Sequence, residues 1–401
     1  MRRQTLFEMD DIPETGSGRD VGSLKRGWLR LRGWAVILLA LTITGCPGIT
    51  PLTGEDGNVD PDLTLTQGKR VSGEPNGSFS QALDLILDST GVGRIRGTVY
   101  PTTDVDVYNL GPMRAGDRIR VDLDGHGSLD AAIAIFDEGG DLFIMNDDRN
   151  ANAGQLDPFV NEVVRRDGMN YFLAVSSSAF GPSTGAYTAV VTVGRGESVP
   201  PPRPQAILLN FTGGTITIPG DATYTVGTFN AADIDPAYAG QTSVVKRWIV
   251  QTVEDCFDGI AVTIYSTDTG RPPANVAYSQ VFFGGLNPRA YGISQDVDDY
   301  NHNPTDASIV FTEDFTADQF GRRLTVVELG RAIGNVATHE IGHLLGLNHV
   351  ADPADLMDST GSAMTFVSVQ TFRRSPLDVS IWPFGYQDGL QLLMEIVGTS
   401  P

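Results

Sequence analysis

Between residues 94 and 193 the chain alternates apolar and polar positions or runs apolar for a few residues, then breaks at turns containing Gly and Asp. Segments 94–100, 105–110, 118–123, 131–136, 141–145 and 187–193 follow this pattern. Alternation with period two gives a strand one buried face, and short strands at this spacing predict an antiparallel β-sandwich. After residue 205 the pattern mixes. Apolar runs at 206–211, 259–266, 277–283 and 308–312 predict strands, whereas Val245, Trp248, Ile249, Val253, Cys256 and Phe257 recur at helical spacing and predict a helix over 244–257. A second helix has a written beginning. Thr325 with Glu328 three residues on forms a capping box, Leu324 and Leu329 are placed as a hydrophobic staple, and the helix is expected to run to Leu345 and stop at Gly346. A closing helix over 388–397 completes an α+β body. No heptads and no internal repeat interrupt this layout.

The two patterned regions are separated by Val199-Pro200-Pro201-Pro202-Arg203-Pro204, a run that favours an extended spacer. The expected organisation is therefore multidomain: an all-β sandwich at 77–197, a Pro-rich linker at 198–204, and an α+β domain at 205–401. A tether rich in Gly, Pro, Thr and Asp at 46–76 precedes them. Ahead of it, Lys25, Arg26, Arg30 and Arg32 lead into an apolar run at 33–43 that is too short to span about 30 Å of hydrocarbon. A basic region, an apolar region and small residues make residues 1–45 a secretory signal. Its end, Ile43-Thr44-Gly45-Cys46, resembles the lipobox of bacterial lipoproteins. That resemblance implies lipidation of Cys46 and a protein of the bacterial cell envelope, extracytoplasmic and held to a membrane by the anchor; Pro47 after the Cys, in place of the Asp linked to inner-membrane retention in some bacteria, points to the outer membrane or cell surface. The competing reading is an ordinary secretory signal with an incidental Cys.

Composition narrows the partners. Lys and Arg number 28 against 49 Asp and Glu, a formal charge of −21, which argues against nucleic acid or an anionic bilayer surface. Two cysteines, Cys46 and Cys256, exclude a disulfide framework, and Cys256 on its helix reads as a buried, inert thiol.

The chemistry is concentrated in His339-Glu340-Ile341-Gly342-His343-Leu344-Leu345-Gly346-Leu347-Asn348-His349. Four residues apart, His339 and His343 project from one helical face and can share an ion. Gly346 can adopt φ > 0, end the helix and turn the chain so that His349 supplies a third nitrogen. Three neutral imidazoles leave a fourth position open, the arrangement of a catalytic zinc site. Glu340, next to the first ligand, is placed to move a proton.

This segment resembles the extended zinc signature of the metzincin metallopeptidases, His-Glu-x-x-His-x-x-Gly-x-x-His; it assigns no named subfamily, although Leu356-Met357 leans toward matrixin-like members. The resemblance implies one catalytic Zn2+ on His339, His343 and His349, with Glu340 as general base in a zinc endopeptidase acting on protein or peptide. It also implies Met357, in Asp355-Leu356-Met357-Asp358, as the Met-turn residue beneath the ligands. Ala363, Met364, Phe366 and Val367 would line the pocket beyond the scissile bond, or serve as core. Ser359 stands where some metzincins carry a tyrosine ligand.

The sandwich region resembles the bacterial pre-peptidase C-terminal domain through Asp104-Val105-Asp106-Val107-Tyr108, Ala115-Gly116-Asp117, Leu129-Asp130-Ala131, Tyr171-Phe172-Leu173-Ala174-Val175 and Gly185-Ala186-Tyr187. The resemblance implies an accessory or binding module. Asp104 and Asp106, with Asp147 and Asp148, could gather Ca2+, and Asp296 and Asp298, with Asp299 and His302, lie where matrixins can hold structural calcium or zinc, but solvated turn residues are the preferred reading at both places. A reading from another class also stands: a surface adhesin or binding lipoprotein that retains a zinc site without turnover, with cleft occupancy as the discriminating observation.

Overall fold

The computed structural model describes residues 73–150 and 153–400. The expected signal at 1–45, Cys46 and the tether as far as residue 72 lie outside the described residues. Among the described residues no helix is long and apolar enough to cross a membrane.

The first region is a β-sandwich. One sheet has the order β1 (Leu83–Asp84), β3 (Val105–Met113), β8 (Gly168–Ser177), β5 (Ala131–Phe136), β6 (Leu142–Asn146). The other has the order β2 (Val92–Val99), β9 (Gly185–Gly194), β4 (Arg118–Asp124), β7 (Phe159–Val163). All pairings are antiparallel except β1 with β3. Strand β9 alternates buried and half-buried residues, as a strand with one solvated face should. Strand β5 is buried at every position. Its Ala131, Ile133 and Ile135 face the opposite sheet, while Ala132, Ala134 and Phe136 belong to a second core completed by Leu377, Ile381 and Trp382 from the C-terminal body. The unbroken apolar run at 131–136 is thus the signature of a strand covered on both sides.

The second region is an α+β body. Its sheet has the order β13 (Val262–Ser266), β10 (Gln205–Asn210), β14 (Tyr278–Phe283), β16 (Ala307–Val310), β15 (Gly292–Ser294). The first four strands are parallel and β15 runs antiparallel along the edge. A hairpin of β11 (Gly214–Thr217) and β12 (Thr223–Val226) and a second of β17 (Arg374–Pro376) and β18 (Tyr386–Asp388) are added. Helix α1 (Thr242–Cys256) packs on α2 (Val326–Leu344), which lies along β14–β16, and α3 (Gly389–Ile396) closes the chain. The capping box at the start of α2 is formed in both directions: Thr325 N–H donates to Glu328 Oε2 (2.8 Å) and Glu328 N–H to Thr325 Oγ1 (3.3 Å). Cys256 is largely buried, its Sγ 3.9 Å from Asn335 Oδ1, and burial pushes the thiol up to about 11, which removes it from thiolate chemistry.

Segment 198–204 has no regular secondary structure, and Arg203 ties it down by donating its N–H to Ile396 O and a guanidinium N–H to Asn301 O (both 2.8 Å). The two regions meet along a polar and aromatic seam. Arg166 of the sandwich pairs with Glu395 of α3 (2.9 Å), and Phe384 packs between Phe79 and Phe136 with centroids 5.0 and 5.8 Å away.

Candidate metal centre

Helix α2 is buried along almost its whole length, which places its ligand face in the interior. His339, His343 and His349 are at most 4% exposed. The Nε2 atom of His349 lies 3.2 Å from Nε2 of both His339 and His343. The opposite ring nitrogens fix the tautomers of the helical pair. His339 Nδ1 is 2.7 Å from the Leu356 carbonyl and His343 Nδ1 is 2.8 Å from the Leu347 carbonyl. Carbonyls only accept, so both Nδ1 atoms carry the proton and both Nε2 lone pairs point inward. Burial holds the His343 ring down at about 4 and the other two well below the ordinary value, so all three are neutral. Neutral imidazole nitrogens converging on one point are a donor set that fits zinc, and without a cation they would merely repel.

Glu340 is fully buried beside this centre. Ser294 Oγ on the edge strand β15 sits 2.8 Å from Glu340 Oε2 and 3.0 Å from its carbonyl oxygen, while Oε1 has no hydrogen-bond partner. Burial pushes the carboxyl up to about 8, opposed by the Ser294 hydroxyl. The strand comes close: a Cβ on Gly292 would fall 2.5 Å from Glu340 Oε1. Met357 is fully buried, with its sulfur against Gly342 between the helical ligands, and its N–H donates to Asp355 Oδ1 (2.9 Å).

Residues Ala363–Val367 form a 3-10 turn held to α2 by Asn335, whose Nδ2 donates to the carbonyls of Phe366 (2.8 Å) and Ser368 (2.9 Å). Phe366 is buried edge-on against Tyr291 (5.3 Å), Ala363 and Val367 are partly buried, and Met364 is exposed. Asp104 and Asp106 come together with Glu74, one carboxylate oxygen of each lying within 4.8 Å of the others. Asp106 is buried, accepts from Tyr187 OH (2.5 Å), and is pushed up to about 6 by burial. Asp298 instead caps its own loop, accepting from His302 N–H (3.0 Å) and Asn303 N–H (2.7 Å). Neither Asp296 nor Asp298 joins a group of three metal donors among the described residues.

Ser294 and Gly292 carry no signal in the sequence, because a three-residue edge strand has no periodicity to read. Residues that hold the His349 turn from a distance, Tyr300, Asp378 and Gln387, are equally silent in the sequence.

The chain's residues 213–375 match a family model described as "Peptidase_M10: Matrixin". Together with the three-histidine centre, this supports a zinc metallopeptidase. No curated protein matches the chain. Among solved structures it is similar to the pre-peptidase C-terminal domain of collagenase from Bacillus anthracis, at 14% identity over 30% of this chain and 99% of that one, with a TM-score of 0.22. It is also similar to a zinc-dependent peptidase from Methanocorpusculum labreanum (13% identity, 41% and 93% of the chains, TM-score 0.25). A third is PliG from Aeromonas hydrophila, a periplasmic lysozyme inhibitor of g-type lysozyme (15%, 31% and 98%, 0.23).

Proposed function

We propose that this chain is a zinc-dependent endopeptidase in which His339, His343 and His349 hold the metal and Glu340 is the general base. The observation that carries the reading is the placement of a partnerless carboxylate oxygen, Glu340 Oε1, in the same buried site as three inward-facing Nε2 atoms. When bound, zinc acidifies water and polarises a carbonyl. With the metal bound, Glu340 would take the proton at Oε1 and hand it to the leaving amine. Ser294 holds Oε2, which leaves Oε1 as the oxygen without a hydrogen bond and so the one assigned the proton. His339 and His343 are kept in the metal-binding tautomer by the Leu356 and Leu347 carbonyls.

The test is cleavage of a mixed peptide library by zinc-loaded protein beside Glu340→Ala, with zinc content measured on both. Loss of at least about 100-fold in rate with one zinc still bound is expected. Equal turnover by the variant would remove Glu340 from the mechanism. Zinc binding without cleavage by either would favour the non-catalytic binding lipoprotein.

Two further parts belong to this reading. Lipidation of Cys46 would tether the enzyme to the bacterial envelope, and a mature N-terminus without acyl mass would end that part. Ca2+ at Glu74, Asp104 and Asp106 is supported by the convergence of one carboxylate oxygen from each within 4.8 Å of the others. Calcium should raise the melting temperature of the wild type and leave Asp106→Asn unmoved; no rise in the wild type would dismiss it.

A further inference from the structure

The turn that carries His349 away from α2 is held at three successive points, and each holding segment also rests on the sandwich. The first is Gly346, at φ 93°, where a Cβ would lie 2.9 Å from Asp298 O and 3.0 Å from Tyr300 N. Tyr300 donates its hydroxyl to the Phe143 carbonyl in β6 (2.9 Å) and lies under the Arg165 guanidinium (3.7 Å), both from the sandwich.

The second point is Asn348, gripped on both backbone groups by the Gln387 carboxamide. Asn348 N–H donates to Gln387 Oε1 (2.7 Å), and Gln387 Nε2 donates to Asn348 O (2.8 Å). Gln387 is 1% exposed. Its neighbour Tyr386 donates N–H to the Gly140 carbonyl of the sandwich (2.9 Å), and Arg374 on the paired strand reaches the Asp141 carboxylate (2.7 Å) and the Gly139 carbonyl (2.8 Å). The third is His349 itself, whose carbonyl accepts from Asp378 N–H (3.1 Å). The loop after Asp378 runs straight into Ile381 and Trp382, packed on the Phe136 face of β5.

A metal ligand on a helix inherits its position from the helix, whereas a ligand on a turn is only as well placed as the contacts that fix the turn. We infer that Gln387 is a positioning residue for His349, and that the sandwich, acting through Tyr300, Gln387 and the Asp378–Trp382 loop, is part of the architecture of the metal centre rather than a detachable module. This rests on the proposed reading of His349 as a zinc ligand.

The experiment is a double-mutant cycle on the full chain, reading zinc affinity by chelator competition and the absorption spectrum of the cobalt-substituted protein. Gln387→Met and Trp382→Ala are each made in the wild-type and His349→Ala backgrounds. In the wild-type background each should weaken zinc binding about 10-fold and shift the cobalt spectrum toward that of His349→Ala. In the His349→Ala background neither should weaken it further, because the contact they act through is gone. Unchanged affinity in folded variants, or equal losses in both backgrounds, would overturn the inference. Should these variants not fold, Tyr300→Phe, which removes one hydroxyl, is put through the same cycle under the same two criteria. A wild type that binds zinc no more tightly than His349→Ala would overturn the ligand reading itself, and the inference with it; that result is visible before any other variant is compared.

Discussion

His339 and His343 reach the centre by one route and His349 by another. The first two stand four residues apart on α2, and the helix alone sets their spacing; their tautomers are then fixed by carbonyls of Leu356 and Leu347. His349 stands past a left-handed glycine, and its backbone is held by residues from 298–300, 378 and 387. The pair depends on local helix geometry and the single ligand on long-range tertiary contacts, so the two halves of one site should fail in different ways.

The harshest way to break the comparison is at the point where one half passes into the other. Gly346→Ala places a β-carbon at φ 93° and into backbone atoms of 298–300 that cannot rotate away. Zinc affinity should fall by about 100-fold. The far-UV signal of α2 should survive, because the substitution lies beyond its last residue. Zinc titration with circular dichroism checks both, and affinity within a factor of two of wild type would mean that the turn adapts without its glycine.

The same division separates what the sequence discloses from what it hides. The ligand spacing, the capping box at Thr325 and Glu328, and the stop at Gly346 are all local, and all are legible. So is the doubly covered strand β5, whose unbroken apolar run implies a layer over its outer face, although nothing at 131–136 names Trp382 as that layer. Ser294 is hidden because its meaning depends on reaching Glu340 across 46 positions, through an edge strand of three residues. Gln387 is hidden for the same reason: a lone glutamine on a short strand reads as surface until the β17–β18 hairpin turns it onto Asn348. Segments 159–163, 214–217 and 223–226 are further strands too short or too polar to stand out by period.

A milder probe compares the halves through buried charge. Asp306, beside the start of β16, is 3% exposed, and burial pushes it up to about 7 from 3.8, opposed by the Ser279 hydroxyl. A carboxyl whose folded value is raised favours folding in its protonated form. That contribution is fully present below the unfolded value and is lost as pH rises through about 7. Asp306→Asn should therefore stabilise the protein at pH 8 by on the order of 2–4 kcal/mol and by clearly less at pH 5. Denaturant unfolding at the two pH values measures it, and a gap that does not grow with pH would show that the buried carboxyl carries no such cost.

The smallest expected effect lies at the far end of α2, and it sharpens the comparison because it touches only the local half. Thr325 Oγ1 accepts from Glu328 N–H, and Glu328, held down at about 2 first by its bond with Arg322, returns the contact to Thr325 N–H. Thr325→Ala removes one cap of a helix that is otherwise fixed by packing along its length, so the loss should be about 1 kcal/mol of stability. The ligands sit more than three turns away, on the segment most deeply buried. Zinc affinity should accordingly stay at the wild-type value while the unfolding midpoint falls. A loss of affinity comparable to that of Gln387→Met would mean that fraying at Thr325 travels down α2 to His339. The pair on the helix would then depend on distant contacts as much as the ligand on the turn does, and the distinction between the two routes would be gone.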